Sequence, residues 1–267
     1  MNRIEKKFGE LALEDETAFI PYITAGDPSL EATEALVERL AESGADMIEL
    51  GVPYSDPLAD GPTIQQASQR ALQAGTDLDG IFNLVARLRE KTEIPLILMG
   101  YYNSFYKYGF ERIVAKAEEV GVDGLIIPDL PPEESEKLEE LKEGEEGELA
   151  TIFLLASTSD TGRIKLINQA SRGFIYCVSL TGVTGARSEL APNLTEFLTR
   201  VRNYSELPLA VGFGISTPEQ AAQVAKHAEG VVVGSAIIDR IKDNLDNRDL
   251  MLKEVAKLVK ELKDAIR

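Results

Sequence analysis

AFIPYITAGDPSLEATEALVERLAESGADMIELG, residues 18–51, reads as one strand, one helix and the next strand. AFIPYIT (18–24) and DMIELG (46–51) are short runs apolar at successive positions, the pattern of parallel strands covered on both faces. Between them LEATEALVERLAES (30–43) sets its apolar residues at helical spacing. The unit recurs along the chain. Further strands are expected at PLILMG (95–100), GLIIPD (124–129), ATIFLL (150–155), FIYCVS (174–179), PLAVGF (208–213) and EGVVVG (229–234), eight in all. They begin 21 to 49 residues apart, one βα unit each with two enlarged units. Right-handed βα units repeated eight times close on themselves, so the predicted class is α/β, a (β/α)8 TIM barrel.

Helix punctuation agrees with that register. Pro62 stands where a first helical turn begins and Gly75 follows a last periodic residue. FERIVAKAEEV (110–120) is amphipathic. An extra helix is expected at the C-terminus, with Leu250, Val255, Leu258, Val259, Leu262 and Ile266 on one side, and another before the first strand, using Ile4 and Phe8. No linker and no repeat beyond the βα period interrupts the pattern, so residues 1–267 read as a single barrel domain.

The 267 residues are 44% apolar and 27% charged, enough core to exclude disorder. Lys and Arg number 28 against 45 Asp and Glu, a net charge of −17 that repels nucleic-acid backbones and anionic lipid. No nucleic acid and no membrane is expected as a partner. A small phosphate can still be held, by backbone amides. One cysteine, Cys177, excludes an intrachain disulfide and fits a reducing compartment. The first seventeen residues hold no apolar stretch of signal-peptide length, and GVVVGSAII (230–238) is too short to span a bilayer, so a cytoplasmic location is expected. The single histidine, His227, argues against a histidine-ligated metal or a Ser-His-Asp triad, and no metal is expected. The glutamate run EESEKLEELKEGEEGE (133–148) reads as a solvated helix and turn.

Barrels of this kind place their chemistry at the carboxyl ends of the strands. There the sequence offers Glu49, the loop GVPYSDPLADGP (51–62) with Asp56 and Asp60, Asp129 at the end of strand four, and Tyr176 in strand six. No lysine stands at a strand end, which disfavours a Schiff base. Glu49 lies between Ile48 and Leu50. Pointed into the barrel mouth, it would lose solvent, hold its proton more tightly and suit acid–base work; a rim glutamate paired with a cation fits the same residues. Asp60 can be a second carboxylate or a turn residue before Gly61-Pro62. Tyr176 can face the site or pack in the wall with its hydroxyl bonded. His227 reads as a helix-end residue and Cys177 as apolar filler. TGVTGAR (181–187), GFGIST (212–217) and VGSAI (233–237) follow strands six, seven and eight. Glycines let amides approach an anion, the last two segments lead into helix N-termini, and Ser235 adds a hydroxyl. These residues describe a metal-free enzyme acting on a phosphate ester, with the substrate left open.

The segment PYITAGDPSLEATEALVERLAESGADMIELGVPYSDPLADGPTIQQAS (21–68) resembles the tryptophan synthase alpha subunit. So do LMGYYN (98–103), PDLPPEES (128–135), SLTGVTGAR (179–187), GFGIS (212–216) and VGSAI (233–237), in the family's order across nearly the whole chain. ELGVPYSDPLADGPTIQ is the most specific of them. The resemblance implies a lyase that cleaves indole-3-glycerol phosphate to indole and D-glyceraldehyde 3-phosphate in tryptophan biosynthesis. It makes Glu49 and Asp60 the catalytic carboxylates and Tyr176 the active-site tyrosine. It also implies an indole slot lined by Tyr22, Ile64, Tyr101, Ile126 and Phe213, and a phosphate held by amides around Gly185, Phe213, Gly214, Gly234 and Ser235. Thr184 would lie in a mobile lid (179–192) and orient Asp60. The implied partner is a tryptophan synthase beta subunit in an α2β2 heterotetramer, meeting loops 53–61 and 179–192 and receiving indole through a tunnel. This chain would need no cofactor, pyridoxal phosphate belonging to that partner.

The chain departs from the family's pattern at Tyr22, where phenylalanine is frequent, at Ala156-Ser157-Thr158, where proline is frequent, and in a slightly long glutamate-rich stretch. Two other readings fit parts of the sequence. A regulatory barrel would bind substrate-like phosphates and activate its partner without chemistry, but does not use Glu49 and Asp60 together. Another phosphate-binding barrel isomerase or synthase of aromatic biosynthesis fits the glycine loops but leaves the ADGP loop unexplained.

Overall fold

The computed structural model describes residues 2–142, 149–178, 193–212 and 214–267. Nine parallel strands run through them: β1 Ala18–Thr24, β2 Ile48–Gly51, β3 Leu96–Met99, β4 Gly124–Ile126, β5 Ala150–Ile152, β6 Leu154–Ala156, β7 Ile175–Val178, β8 Leu209–Gly212 and β9 Gly230–Val233. They form one sheet in the order β5-β4-β3-β2-β1-β9-β8-β7-β6. β5 and β6 are the fifth expected strand, parted at Phe153 where its ladder passes from β4 on one side to β7 on the other. Across that gap the Thr151 carbonyl accepts from Arg172 N at 2.9 Å and the Phe153 carbonyl from Tyr176 N at 3.1 Å. The sheet thereby closes into the expected barrel of eight staves.

Strand alternation sorts the apolar residues into two groups. Ala18 and Ile20, Met47, Ile97, Ile126, Ala150 and Ile152, Phe174 and Tyr176, Ala210 and Val232 fill the barrel interior. Phe19, Ile23, Ile48, Leu50, Leu98, Leu125, Cys177, Val211 and Val231 face outward and pack with the helices. That is why the strands read as apolar without a gap. The same alternation carries Tyr22 after Ala18 and Ile20, and Glu49 after Met47, onto the inner face at the carboxyl end.

The extra N-terminal helix, Arg3–Glu14, buries Ile4, Phe8 and Leu11 against the interior group and so stoppers the amino end of the barrel. The Phe8 and Phe174 rings meet at 5.6 Å. Helices Leu30–Glu42, Pro62–Gln73 and Phe110–Val120 form as read, with Pro62 in the first turn and Gly75 past the end at φ +82°. Helix Arg248–Ala265 buries Val255, Leu258, Val259 and Leu262, and Ile266 after it is buried too. Leu250 is a correction: it is exposed, and Met251, four residues before Val255, takes the inner stripe in its place. A second correction concerns Asp129. β4 ends at Ile126, and Asp129 lies beyond it, exposed, accepting from Tyr102 N at 2.7 Å. Among the described residues no helix is long and apolar enough to cross a membrane.

Ile4→Ala opens a hole in a stopper that has no solvent to refill it, and is expected to cost about 2–5 kcal/mol in urea unfolding. A loss below about 1 kcal/mol contradicts the stopper's part in the core.

Candidate active site

Glu49 stands at the second position of β2, in register with Tyr22 of β1 and Ile97 of β3. It is 1% exposed, and its Oε1 has no hydrogen-bond partner. Burial, then the nearby charge of Asp60, pushes the carboxyl up to about 8. Asp60 closes the loop after β2 and is held from three directions. Its amide donates to the Pro57 carbonyl at 3.1 Å, its own carbonyl accepts from Gln65 Nε2 at 2.8 Å, and its Oδ2 accepts from the Tyr101 hydroxyl at 3.1 Å. Burial raises it to about 6, with the Tyr101 bond pulling the other way. No cation contributes to either shift. The rim glutamate paired with a cation and the bare turn aspartate are therefore not what the fold builds. Near neutral pH Glu49 holds its proton while Asp60 is mostly charged, which gives one site an acid and an anion.

Three tyrosines surround this pair. Tyr101 follows β3, receives the Ala59 amide on its hydroxyl at 3.0 Å, and stacks on Tyr54 with centroids 5.2 Å apart. Tyr54 in turn accepts from Asn103 Nδ2 at 3.0 Å. The Tyr22 hydroxyl, the chain's departure from phenylalanine, finds Thr24 Oγ1 at 3.4 Å. Tyr176 is buried on β7, paired with Leu154 and Ala210. Burial first, and nearby acidic groups after it, hold the Tyr22 and Tyr176 phenols well above their ordinary value, so neither ionises near neutrality.

The wall is cut back by glycine where these rings lie. A Cβ on Gly51 would stand 2.1 Å from the Tyr22 hydroxyl oxygen, and one on Gly212 would stand 2.3 Å from that of Tyr176. Sequence reading held Gly51 and Tyr54 only as part of the loop after strand two and Gly212 only as part of an anion-binding segment, and it missed Thr24. The signal was present for Gly51, since Met47, Glu49 and Gly51 share one face at strand spacing. Ile64, in the first turn after Asp60, and Ile126, at the end of β4, are buried as an apolar slot requires. Asp56 is exposed in its loop.

The two expected anion-binding helix ends differ. Before helix Pro218–Ala225 the Ser216 and Thr217 amides donate to Gln220 Oε1 at 2.8 and 3.2 Å, so a side chain already uses them. Helix Ser235–Lys242 starts after Gly234 with no side-chain cap. Gly214, just before the first of these ends, takes the left-handed φ of +89° that favours glycine. Thr184, Gly185 and Phe213 lie outside the described residues. His227 is exposed just past helix Pro218–Ala225, and Cys177 is buried with its thiol pushed up to about 12, both as read. Among the described residues no three His, Cys, Asp or Glu side chains gather as metal ligands would.

The model of the tryptophan synthase alpha chain family matches residues 8–267. The chain belongs to that family. A tryptophan synthase alpha chain of Thermoanaerobacter sp. (strain X514) is 48% identical over 266 residues, covering 100% of both chains. One of Geobacter sp. (strain M21) is 53% identical over 238 residues, 89% of this chain and 88% of that one. The crystal structure of the tryptophan synthase alpha chain from Legionella pneumophila subsp. pneumophila superposes with a TM-score of 0.90 at 40% identity, over 100% of this chain and 97% of the other. A chain of M. tuberculosis tryptophan synthase in an aminoacrylate-bound form gives 0.88 at 33% identity over all of both chains. Membership makes the chain an enzyme subunit of tryptophan biosynthesis, and the barrel described above is the family's fold.

A glutamate that titrates near 4.5 when unfolded and near 8 when folded links stability to pH. Below 4.5 both states hold the proton; between the two values only the folded state does, so stability falls as pH rises and the loss is complete above about 8. Glu49→Gln has no proton to lose. Its melting temperature relative to the wild type is expected to rise steadily between pH 5 and pH 8. A difference that stays constant across that range contradicts the raised carboxyl.

Proposed function

We propose that Glu49 and Asp60 carry the alpha reaction of tryptophan synthase in this chain, the retro-aldol cleavage of indole-3-glycerol phosphate to indole and D-glyceraldehyde 3-phosphate. The observation that carries the reading is a buried carboxyl with an unpartnered oxygen, beside a second carboxylate tied to a tyrosine. The carbon–carbon bond at indole C3 breaks only if the ring can accept its electron pair. Glu49 donates its proton to C3, leaving a cationic indolenine. Asp60, mostly ionised, faces the ring N–H and stabilises that positive charge. The hydroxyl on the adjacent glyceryl carbon then gives its proton back to Glu49 while the C3–carbon bond breaks. The bonding pair returns to the ring as indole, and the former alcohol becomes the aldehyde. Glu49 ends as it began, protonated, and Asp60 is unchanged.

In this reading Tyr22, Ile64, Tyr101, Ile126 and Phe213 form the indole slot, and Tyr176 helps place the glyceryl chain and Glu49. The phosphate is assigned to amides around Gly185, Phe213, Gly214, Gly234 and Ser235, supported by the uncapped start of helix Ser235–Lys242. Thr184 is assigned to a lid that excludes water and orients Asp60. The 267 residues act as one barrel domain, in the cytoplasm, docked on a beta subunit in an α2β2 assembly. Pyridoxal phosphate belongs to that partner, and this chain's step needs no cofactor of its own.

Glu49→Gln is expected to abolish indole release from indole-3-glycerol phosphate while circular dichroism stays that of the wild type. Turnover near the wild-type rate in that variant removes Glu49 from the mechanism. The wild type should give a bell-shaped kcat/KM profile, falling below about 6 as Asp60 takes a proton and above about 8 as Glu49 loses one. A rate that keeps rising past pH 9 contradicts an acid role for Glu49.

A further inference from the structure

The reaction as derived makes no use of Asp27, yet Asp27 is a wholly buried carboxylate in the loop after β1. Arg70 grips it with both arms of its fork, Nε to Oδ1 and Nη2 to Oδ2, each at 2.7 Å. Burial pushes Asp27 upward and the two Arg70 bonds oppose it. A desolvated pair of this kind is a poor source of stability, but two parallel bonds fix distance and angle together.

Two elements of the fold meet at the pair. The Asp27 side is bolted to the barrel: Ala25 N donates to the Gly51 carbonyl at 2.9 Å and Gly26 N to Thr33 Oγ1 at 2.9 Å. A Cβ on Gly26, at φ +88°, would fall 1.9 Å from Thr76 Oγ1, so the loop has no room to shift. Gly51 is two residues past Glu49 on β2, which ties this loop to the catalytic glutamate's own strand. The Arg70 side is helix Pro62–Gln73, which begins two residues after Asp60 and holds the Asp60 carbonyl through Gln65. Arg70 lies about 12 Å along the axis from Pro62. The helix therefore works as a lever, with Asp60 at its head and the ion pair near its tail.

We infer that the Asp27–Arg70 pair is a positioning device for Asp60, fixing the helix that carries it relative to the strand that carries Glu49. The inference rests on the proposed lyase reading and adds two residues that touch no substrate. A helix free to tilt would move Asp60 and, with it, Ile64 in the helix's first turn; charge stabilisation at the ring N–H, which depends on distance and angle together, suffers more than the apolar contact from one wall of the slot.

The test measures the full chain with indole-3-glycerol phosphate, with the wild type and Glu49→Gln run first: an inactive wild type or an active Glu49→Gln defeats the lyase reading itself, before the pair is probed. Asp27→Asn and Arg70→Gln, each checked by circular dichroism, are then expected to lower kcat about 10- to 100-fold with KM changed less than about threefold. The low-pH arm of the rate profile, which belongs to Asp60, should shift, and by more than the high-pH arm, which feels Asp60 only through its charge on Glu49. Wild-type kcat and an unmoved low-pH arm, with only a lowered melting temperature, make the pair purely structural and overturn the inference. Should a single variant fail to fold, Asp27→Asn/Arg70→Gln leaves no unpaired charge. Its kcat, reduced or wild-type, decides the matter in the same way.

Discussion

The protein keeps one carboxyl group in a place where water cannot reach it and nothing bonds one of its oxygens. Placing a charged carboxylate there costs several kcal/mol, so Glu49 meets neutral pH with its proton on. Most of the architecture follows from maintaining that condition. Inward-facing Ala, Ile, Met, Phe and Val side chains fill the barrel below Glu49, and Ile4 and Phe8 stopper the far end. Any lysine or arginine close to Glu49 would pull its proton off and remove the acid. None contributes to its shift.

Asp60 needs the opposite condition within the same small volume. A tyrosine donates to it against the upward push of burial, so it stays mostly charged near neutral pH, and its loop is pinned through the amides and carbonyls of Pro57, Ala59 and Asp60 itself. Two carboxyls in different surroundings thus divide one task, and the Asp60 charge helps hold the proton on Glu49. Glycine at Gly51 and Gly212 lets Tyr22 and Tyr176 lie across the barrel wall beside them. The site is defined as much by side chains withheld as by those supplied.

The barrel was legible because parallel strands buried on both faces write an unbroken apolar code, and all eight runs became staves. The break at Phe153 was not legible, since it reflects a change of hydrogen-bonding neighbour and leaves the apolar pattern untouched. Leu250 was misread for a related reason: at the start of a helix one residue's rotation separates the inner stripe from solvent, and Met251 is just as apolar. Glu49 and Asp60 could be found from strand ends and loop chemistry, but their different protonation could not. That difference depends on Tyr101, which is forty-one residues from Asp60 in the chain and reaches it only when β2 and β3 lie side by side. Asp27 and Arg70 were invisible for the same reason. A charge pair buried between a loop and a helix looks, in sequence, like two ordinary surface residues.

The account depends on Glu49 being a neutral acid in the resting protein. Infrared difference spectroscopy of the wild type against Glu49→Gln at pH 7, in ordinary and heavy water, reads that state without substrate. A protonated carboxyl carbonyl band belonging to Glu49, shifting on deuteration and disappearing as the pH passes about 8, is the predicted result. A spectrum at pH 7 in which Glu49 contributes only ionised carboxylate bands contradicts the account.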